Sequence, residues 1–222
     1  CGALRGAIGG GMAAAIAPFL VYYGRDGKMY AWVACFALTL AWLAIEHAAG
    51  RRGPGNSAAV VAVSLALVYS HLASPLYLAA LNLAYLLFYA RGGRQAAHWL
   101  GLQAIVLAGL IPWGLLLWHG YSELGSQRYW IPPPTPESLL IFTRNAVAGY
   151  AAVEAVRLGA WVVLAAGLAA ALLFAKRRAT LFLLAVSMLQ VAFFYAASRI
   201  GPRSYFADRY LIGSAALAVV VI

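Results

Sequence analysis

The sequence predicts an all-α fold, a polytopic bundle of transmembrane helices. Hydrophobic residues make up 64% of the 222 residues and charged residues only 10%, and the mean hydropathy is +0.82. Most charges fall in short gaps between long apolar runs, which is the pattern of helices that cross a bilayer. A soluble domain of this length could not bury so much apolar surface.

The first half of the chain contains five apolar runs that predict spans. Tyr22 and Tyr23 close the first run, and Arg51-Arg52 with a Gly-Pro-Gly breaker close the second. The break at 70–75 splits a long run into two short helices, and Pro112 is expected to kink the fifth span. These predicted spans cover residues 7–22, 29–48, 57–71, 75–90 and 96–118.

The second half begins with the longest polar stretch, 119–136, which includes an extended polyproline segment at 129–134. Thr135-Pro136-Glu137 is typical of a helix start. Arg144 and Asn145 interrupt the apolar face of the helix that follows, so 137–149 is predicted to lie in the membrane interface. Further spans are predicted at 153–175, at 179–197 and from about residue 210, where the last is truncated. The total is about eight spans and one interfacial helix.

Cysteine usage and the chain ends set the domain organisation. The sequence begins at Cys1 and stops within an apolar run, so we expect 1–222 to be a single transmembrane domain fragment lacking an N-terminal region and the C-terminus. Cys1 and Cys35 are too far from other ligand types to suggest a disulfide framework or a zinc site. The sequence has no Walker or Rossmann motif and no metal-ligand motif.

The basic character of the chain indicates which partners to expect. Lys and Arg outnumber Asp and Glu by 16 to 6, for a net charge of +10. Basic loops that fix topology and touch membrane lipids explain this charge better than a nucleic acid does. Alternation of the spans divides the cations evenly between the two sides. One side holds tight basic clusters with almost no acid, as cytoplasmic turns do, so we place the mixed side, with Asp26 and Asp208, outside the cytoplasm.

Positive charge on that outer side suggests an anionic ligand, and the turn after the first span is one candidate site. Arg25, Asp26 and Lys28 lie within four residues between two glycines, and Tyr30 follows. Two cations and a carboxylate at the interface could hold a phosphate and orient an acceptor hydroxyl. The alternative is an interfacial turn with a self-neutralising ion pair.

The loop between the last two spans is the second candidate site. Arg199, Arg203 and Arg209 stand there among aromatic residues that include Tyr205, a set suited to bidentate phosphate contacts. Asp208 is expected to cap the final helix. The alternative is an aromatic belt with charged anchors. His71, in the break of the short hairpin, is either an interfacial anchor or part of the same site.

Four segments occur in an order that resembles one family. They are the turn Tyr22–Tyr30, the short helix that ends in Tyr69-Ser70-His71, Pro112-Trp113 with the Trp- and Pro-rich loop after it, and Phe206–Leu211, which is similar to an F-x-x-R-Y-L pattern. Together they resemble the membrane glycosyltransferases of the GT-C superfamily. The most similar kinds are the protein O-mannosyltransferase-like and aminoarabinose-transferase-like bacterial enzymes.

The resemblance implies inverting transfer of a sugar from a polyprenyl-phosphate-linked donor, on the extracytoplasmic face of the bacterial inner (plasma) membrane. It implies a general-base aspartate in a loop upstream of Cys1, so the catalytic residue is unknown here and the fragment alone is expected to be inactive. Asp26 matches a second acid of the family, and Arg203 and Arg209 are expected near the donor phosphate. No cofactor is implied. The sugar, the acceptor and the use of a divalent metal stay open.

Two other functions fit parts of the pattern. A transporter or flippase for an anionic lipid or solute should carry charged residues near the bilayer centre, whereas the cations here stand at the ends of the runs. A purely structural membrane subunit predicts that Arg203 and Arg209 make no difference to the binding of a lipid phosphate.

Overall fold

The structure is a computed structural model that describes most of the chain. It covers residues 10–12, 15, 17–26, 28–90, 92–123, 131–150, 158–159, 161–162, 165–167, 169, 173, 177–201, 204 and 206–221. Within these residues the fold is all-helical, with no strand. The helices are α1 (Pro18–Gly24), α2 (Tyr30–Ala48), α3 (Pro54–Ser70), α4 (Ser74–Tyr89), α5 (Gly93–Gly109), α6 (Ile111–Glu123), α7 (Pro136–Ala148), α8 (Arg177–Ile200), a 3₁₀ turn (Asp208–Leu211) and α9 (Ile212–Val221).

The all-α prediction is confirmed, and the described helices follow the predicted runs closely. Two of them are long and apolar enough to cross a membrane, over Tyr30–Ala48 and Arg178–Ile200. The predicted hairpin is two helices of 17 and 16 residues. The predicted span 153–175 and the beginning of 7–22 lie largely outside the described residues.

The fifth predicted span is two helices rather than one kinked helix. α5 ends at Gly109 and α6 begins at Ile111, with Leu110 between them. Pro112 has no N–H to donate to the carbonyl four residues earlier, so the helical hydrogen-bond ladder cannot continue through it. The Leu110 N–H instead lies within reach of the Val106 and Leu107 carbonyls, at 3.0 and 3.1 Å, which closes the last turn of α5.

Local sequence explains where several helices begin and end. Pro18, Pro54, Pro75 and Pro136 each occupy the first or second position of a helix, where the fixed proline φ suits the helix and no intrahelical N–H is needed. Gly50 follows α2 with φ of 97°. That left-handed conformation favours glycine and stops the helix just before the basic gap.

The core is built from interlocking apolar side chains and small residues. α4 packs along α8, α2 packs along α3, and α9 contacts both α8 and α2. Leu40, Leu67, Leu81 and Phe194 are fully buried in one cluster. Tyr77, which is 2% exposed, donates its hydroxyl to the Ala37 carbonyl at 2.6 Å. A carbonyl oxygen can accept two hydrogen bonds, so Ala37 accepts this one in addition to its bond within the helix. The bond between the two helices fixes α4 against α2.

A polar network joins the C-terminal ends of α2 and α4 to the N-terminal part of α5. His47 Nδ1 lies 2.6 Å from the Tyr85 hydroxyl, and its Nε2 lies 2.8 Å from His98 Nδ1. Gln95 donates to the same Tyr85 oxygen at 3.1 Å. The Tyr85 ring stacks on Trp99 with centroids 4.1 Å apart. The network gives the buried His47 and Tyr85 side chains hydrogen-bond partners and so stabilises the packing of α2 and α4 against α5.

Candidate functional site

Three predicted substrate-binding residues meet at one end of the bundle, which we call the His71 end. It comprises the turn 25–30, the break 71–73 and the segment 206–211. The His71 ring lies between the Tyr30 and Tyr210 rings, with centroid distances of 5.8 and 4.8 Å. The Arg209 guanidinium carbon lies 5.2 Å from the centroid of the Tyr210 ring. The Arg209 cation and the His71 imidazole therefore contact the same aromatic ring, that of Tyr210.

The protonation state of His71 follows from its surroundings. Burial, and next to it the positive charge of Arg209, lower the pKa of His71 from 6.5 to about 4. Its Nδ1 accepts a hydrogen bond from the Ala73 N–H at 3.0 Å. Since Nδ1 is an acceptor, the single proton of the neutral ring stands on Nε2. At neutral pH His71 is therefore an uncharged hydrogen-bond donor through Nε2, and it is not a base at that atom.

Asp208 is held by two donors from distant parts of the chain. Its Oδ2 accepts from Asn145 Nδ2 at 2.7 Å and from the Tyr150 hydroxyl at 2.9 Å. Asp208 was expected to cap the final helix; it is the first residue of the 3₁₀ turn that precedes this helix, and the N-cap residue of the turn is Ala207. The carboxylate instead ties the 3₁₀ turn to α7. Hydrogen bonds to a carboxylate oxygen are strong, so the two bonds to Asp208 hold in place the 3₁₀ turn that also contains Arg209.

Tyr150 extends this arrangement to α1. Its hydroxyl lies 2.6 Å from the hydroxyl of Tyr23. Because Tyr150 donates to Asp208, its oxygen accepts from Tyr23. Burial, and then the hydrogen bond with Tyr23 and the charge of Asp208, raise the pKa of Tyr150. Tyr150 thus keeps its proton and remains a donor throughout the physiological range.

A glycine allows the close approach of Tyr150 to α1. Gly149 ends α7 with φ of 74°, and a Cβ there would stand 2.9 Å from Pro18 Cβ. The chain therefore passes directly over the first turn of α1. Phe19 and Tyr22 surround Tyr150, with ring centroids 6.3 and 4.7 Å from it. Only glycine fits this position without strain.

An apolar groove lies beside the site, between α7, α8 and α9. Its volume is about 470 Å³, and its walls are almost entirely apolar. Phe142 and Ala146 line it from the turn of α7 that also carries Asn145. The hydroxyls of Ser187 and Ser214 are among its few polar groups. The groove is large enough for a slender apolar chain.

The remaining predicted site residues are not part of this cluster. Arg25, Lys28 and Arg199 are exposed. Lys28 Nζ lies 3.5 Å from Asp26 Oδ2, which is the self-neutralising pair that the sequence left open as an alternative. Arg203 and Tyr205 lie outside the described residues. Among the described residues, no group of three or more His, Cys, Asp or Glu side chains converges as a metal site.

Sequence reasoning missed the residues that hold Asp208. Asn145 was interpreted only as a break in an apolar helix face, yet it is 6% exposed and points inward. A polar side chain on the buried face of a helix requires a partner, and that was the available signal. Tyr150 and Tyr23 carried no local signal, because their partners lie 58 and 127 residues away.

Over the residues that the structure describes, the protein is all-helical, with two helices long and apolar enough to cross a membrane, a cationic and aromatic end, and an apolar groove. Comparison with family models, with curated proteins and with solved structures finds no match for this chain.

Proposed function

We propose that the chain is part of a polytopic membrane glycosyltransferase with about eight spans. It moves a sugar from a polyprenyl-phosphate-linked donor to an acceptor on the extracytoplasmic face. The observation that carries the proposal is that Arg209 and His71 both contact the Tyr210 ring, and that Gln190 and Ser214 link Tyr210 to the wall of the apolar groove. A lipid phosphate has one anionic group and one long apolar chain, and these two features match it.

Exposure of the apolar helices supports the membrane part of the proposal. Only 39% of the apolar stretch in α2 and 28% of that in α8 is buried. Trp32 and Met188 are 64% and 74% exposed. Faces of this kind are costly in water at about 25 cal/mol per Å² and favourable in lipid. The cations that flank these helices then stand at the two bilayer surfaces.

Arg209 and His71 supply what the departure of a lipid phosphate requires. Negative charge develops on the phosphate oxygen as its bond to the sugar breaks, so fixed positive charge and donors stabilise the transition state. Arg209 provides the charge and His71 Nε2–H a neutral donor. A neutral donor costs less to desolvate than a second cation, which suits a site at the edge of a bilayer.

The groove supports a lipid donor rather than a soluble phosphate. A chain of hydrogen bonds links the groove to the Arg209 turn. Ser214, in the groove wall, contacts Gln190, and Gln190 contacts the Tyr210 carbonyl. Met188 lies in the groove wall and is largely exposed, so the groove opens towards the lipid side. A polyprenyl chain entering there brings its phosphate towards Arg209.

Two acids, Asp26 and Asp208, stand in the segments that form the His71 end, and both are paired. Asp208 Oδ2 is occupied by Asn145 and Tyr150, and Asp26 pairs with Lys28. Asp26 remains proposed as a second acid that binds or orients the acceptor.

The transporter alternative requires charged groups along the middle of the spans. The polar side chains at mid-helix positions of α4 and α5, Asn82 and Gln103, are neutral and bonded to each other. Asn82 accepts from Trp99 Nε1 at 2.9 Å and donates to Gln103 Oε1 at 3.2 Å. Such neutral interhelical bonds stabilise packing and offer no charged binding site, so the described helices favour the enzyme.

Binding of polyprenyl phosphate to the purified chain in detergent tests the proposal. Arg209→Ala is expected to weaken binding about 10- to 100-fold, the effect of losing a charge-assisted hydrogen bond of about 1.5–3 kcal/mol. Arg94→Ala is the matched control, because Arg94 is exposed at the opposite end. Equal affinity of wild type and Arg209→Ala would remove the donor site.

Enzyme and transporter are separated by a second assay. The full-length protein in proteoliposomes should release polyprenyl phosphate from a synthetic polyprenyl-phosphate sugar and transfer the sugar to an added acceptor. Movement of the intact lipid between leaflets without cleavage would establish the transporter instead.

A further inference from the structure

A buried hydrogen-bond chain connects α9, α8 and the turn that carries Arg209. Ser214 Oγ has two acceptors within reach, Gln190 Oε1 at 2.7 Å and the Ser187 carbonyl oxygen at 3.1 Å, and its single hydrogen favours the shorter contact. Gln190 Nε2 lies 3.3 Å from the Tyr210 carbonyl oxygen. A carbonyl can only accept, so the amide nitrogen must face Tyr210 and the amide oxygen must face Ser214. Gln190 and Ser214 are 2% and 1% exposed, so water does not replace these bonds.

The side chains around Gln190 and the first turn of α9 are closely packed. A Cβ on Gly213 would stand 3.2 Å from Gln190 Oε1 and 3.1 Å from the Tyr77 ring. Ser187 donates to the Ser214 carbonyl at 3.0 Å. The first turn of α9 is therefore fixed against α8 and α4, and the side chain of Gln190 has little room for another rotamer.

Tyr210 is the residue on which the His71 end converges. Its ring contacts both the His71 ring and the Arg209 guanidinium, while its carbonyl faces Gln190. Within the turn, the Tyr210 N–H donates to the Ala207 carbonyl at 2.9 Å. A 3₁₀ turn of four residues has little intrinsic stability, so its placement depends on contacts from outside the turn.

We propose that Gln190 and Ser214 are positioning residues for the anionic headgroup site. They fix the backbone at Tyr210, and this holds Arg209 and His71 in the arrangement that binds the phosphate. Asp208, held by Asn145 and Tyr150, fixes the other side of the same turn. An arginine held in its bound orientation loses less entropy on binding, so the gain appears as affinity for the phosphate. This inference rests on the proposed function.

The test separates the hydroxyl of Ser214 from its bulk. Ser214→Thr and Ser214→Val add nearly the same volume, but only threonine keeps the hydroxyl that orients Gln190. Gln190→Met removes the amide while keeping the length of the side chain. For each variant we would measure the dissociation constants of polyprenyl phosphate and of the uncharged polyprenol in the same detergent. Their ratio isolates headgroup recognition from any change in the groove, whose wall includes Ser214.

The wild-type chain is expected to bind polyprenyl phosphate more tightly than polyprenol. Ser214→Val and Gln190→Met should reduce this preference about 3- to 10-fold, corresponding to one hydrogen bond's effect on placement. Ser214→Thr should retain it, and polyprenol binding should stay unchanged in Gln190→Met. Should Ser214→Val fail to fold, Gln190→Met carries the same comparison.

Two results would overturn the inference alone. One is a wild-type preference that survives in Gln190→Met and Ser214→Val. The other is an equal loss in Ser214→Thr and Ser214→Val, which would assign the effect to bulk. A wild type without any preference for the phosphate would instead overturn the proposed function, and with it this inference.

Discussion

Removing the hydroxyl of Tyr150 should break the link between the Arg209 turn and α1 and leave Asn145 as the remaining donor to Asp208. Tyr150→Phe deletes the hydrogen bond to Asp208 at 2.9 Å and the one with Tyr23 at 2.6 Å, while the ring keeps its contacts with Phe19 and Tyr22. A bond to a charged acceptor contributes about 1.5–3 kcal/mol when buried. Tyr150 is 38% exposed, and water partly replaces the lost partner. We therefore expect a loss of about 1–2 kcal/mol, or roughly 2–8 °C in Tm.

Thermal unfolding in detergent, followed by circular dichroism, measures this loss. Tyr22→Phe is the control, because it makes the same chemical change at a neighbouring residue that is 56% exposed and whose ring lies in the same cluster. A double-mutant cycle with Asn145→Ala sharpens the test. Both residues donate to one oxygen, so their effects should couple by about 0.5 kcal/mol or more. Equal Tm values for Tyr150→Phe and Tyr22→Phe, or strict additivity with Asn145→Ala, would refute the role given to Asp208.

Two further changes follow from the same geometry. The unfolded state takes up a proton at His71 near pH 6.5 and the folded state only near pH 4, so the stability from neutral His71 is full above about pH 6.5 and is lost as the pH falls towards 4. In His71→Gln the free energy of unfolding should depend less on pH over this range, by on the order of 2 kcal/mol after solvent screening. An unchanged pH dependence would contradict a buried, neutral His71 ring. Gly149→Ala should cost about 1–3 kcal/mol in chemical or thermal unfolding, because its positive φ is strained for alanine and its Cβ would meet Pro18. Gly101→Ala, in open space within α5, should instead be neutral or slightly stabilising, and similar losses for both would argue against the close approach.

The helices could be predicted from the sequence because hydropathy is local. Tyr30–Ala48 differs by one residue at its start from the predicted run, since a continuous apolar run between charged gaps has few other interpretations. The start at Pro136 was predicted from proline geometry. The helix at Pro54 begins three residues before the predicted start at 57, because the proline taken as a breaker occupies its first turn. The break at Leu110 was expected only as a kink, because the sequence shows that Pro112 disrupts the ladder but not whether the helix restarts.

The site could be predicted only in part. Arg209, His71 and Tyr30 were singled out as cationic or aromatic residues at run ends, and the structure brings them together. The residues that fix Arg209 could not be found, since Asn145 and Asp208 lie 63 residues apart and nothing local pairs them. His47 and His98 are a similar case, because each stands near a basic gap and their contact depends on how α2 and α5 pack.

The proposed function requires the His71 end to lie on the extracytoplasmic face, where it can bind a lipid phosphate. Single cysteines placed at Arg25 and Gly201, both exposed, report its side directly once Cys1 and Cys35 have been replaced. A membrane-impermeant maleimide added to intact cells should label Arg25→Cys and Gly201→Cys, and should label Arg94→Cys only after lysis. Labelling of Arg25→Cys and Gly201→Cys from opposite sides, or of Arg94→Cys alone in intact cells, would contradict the account.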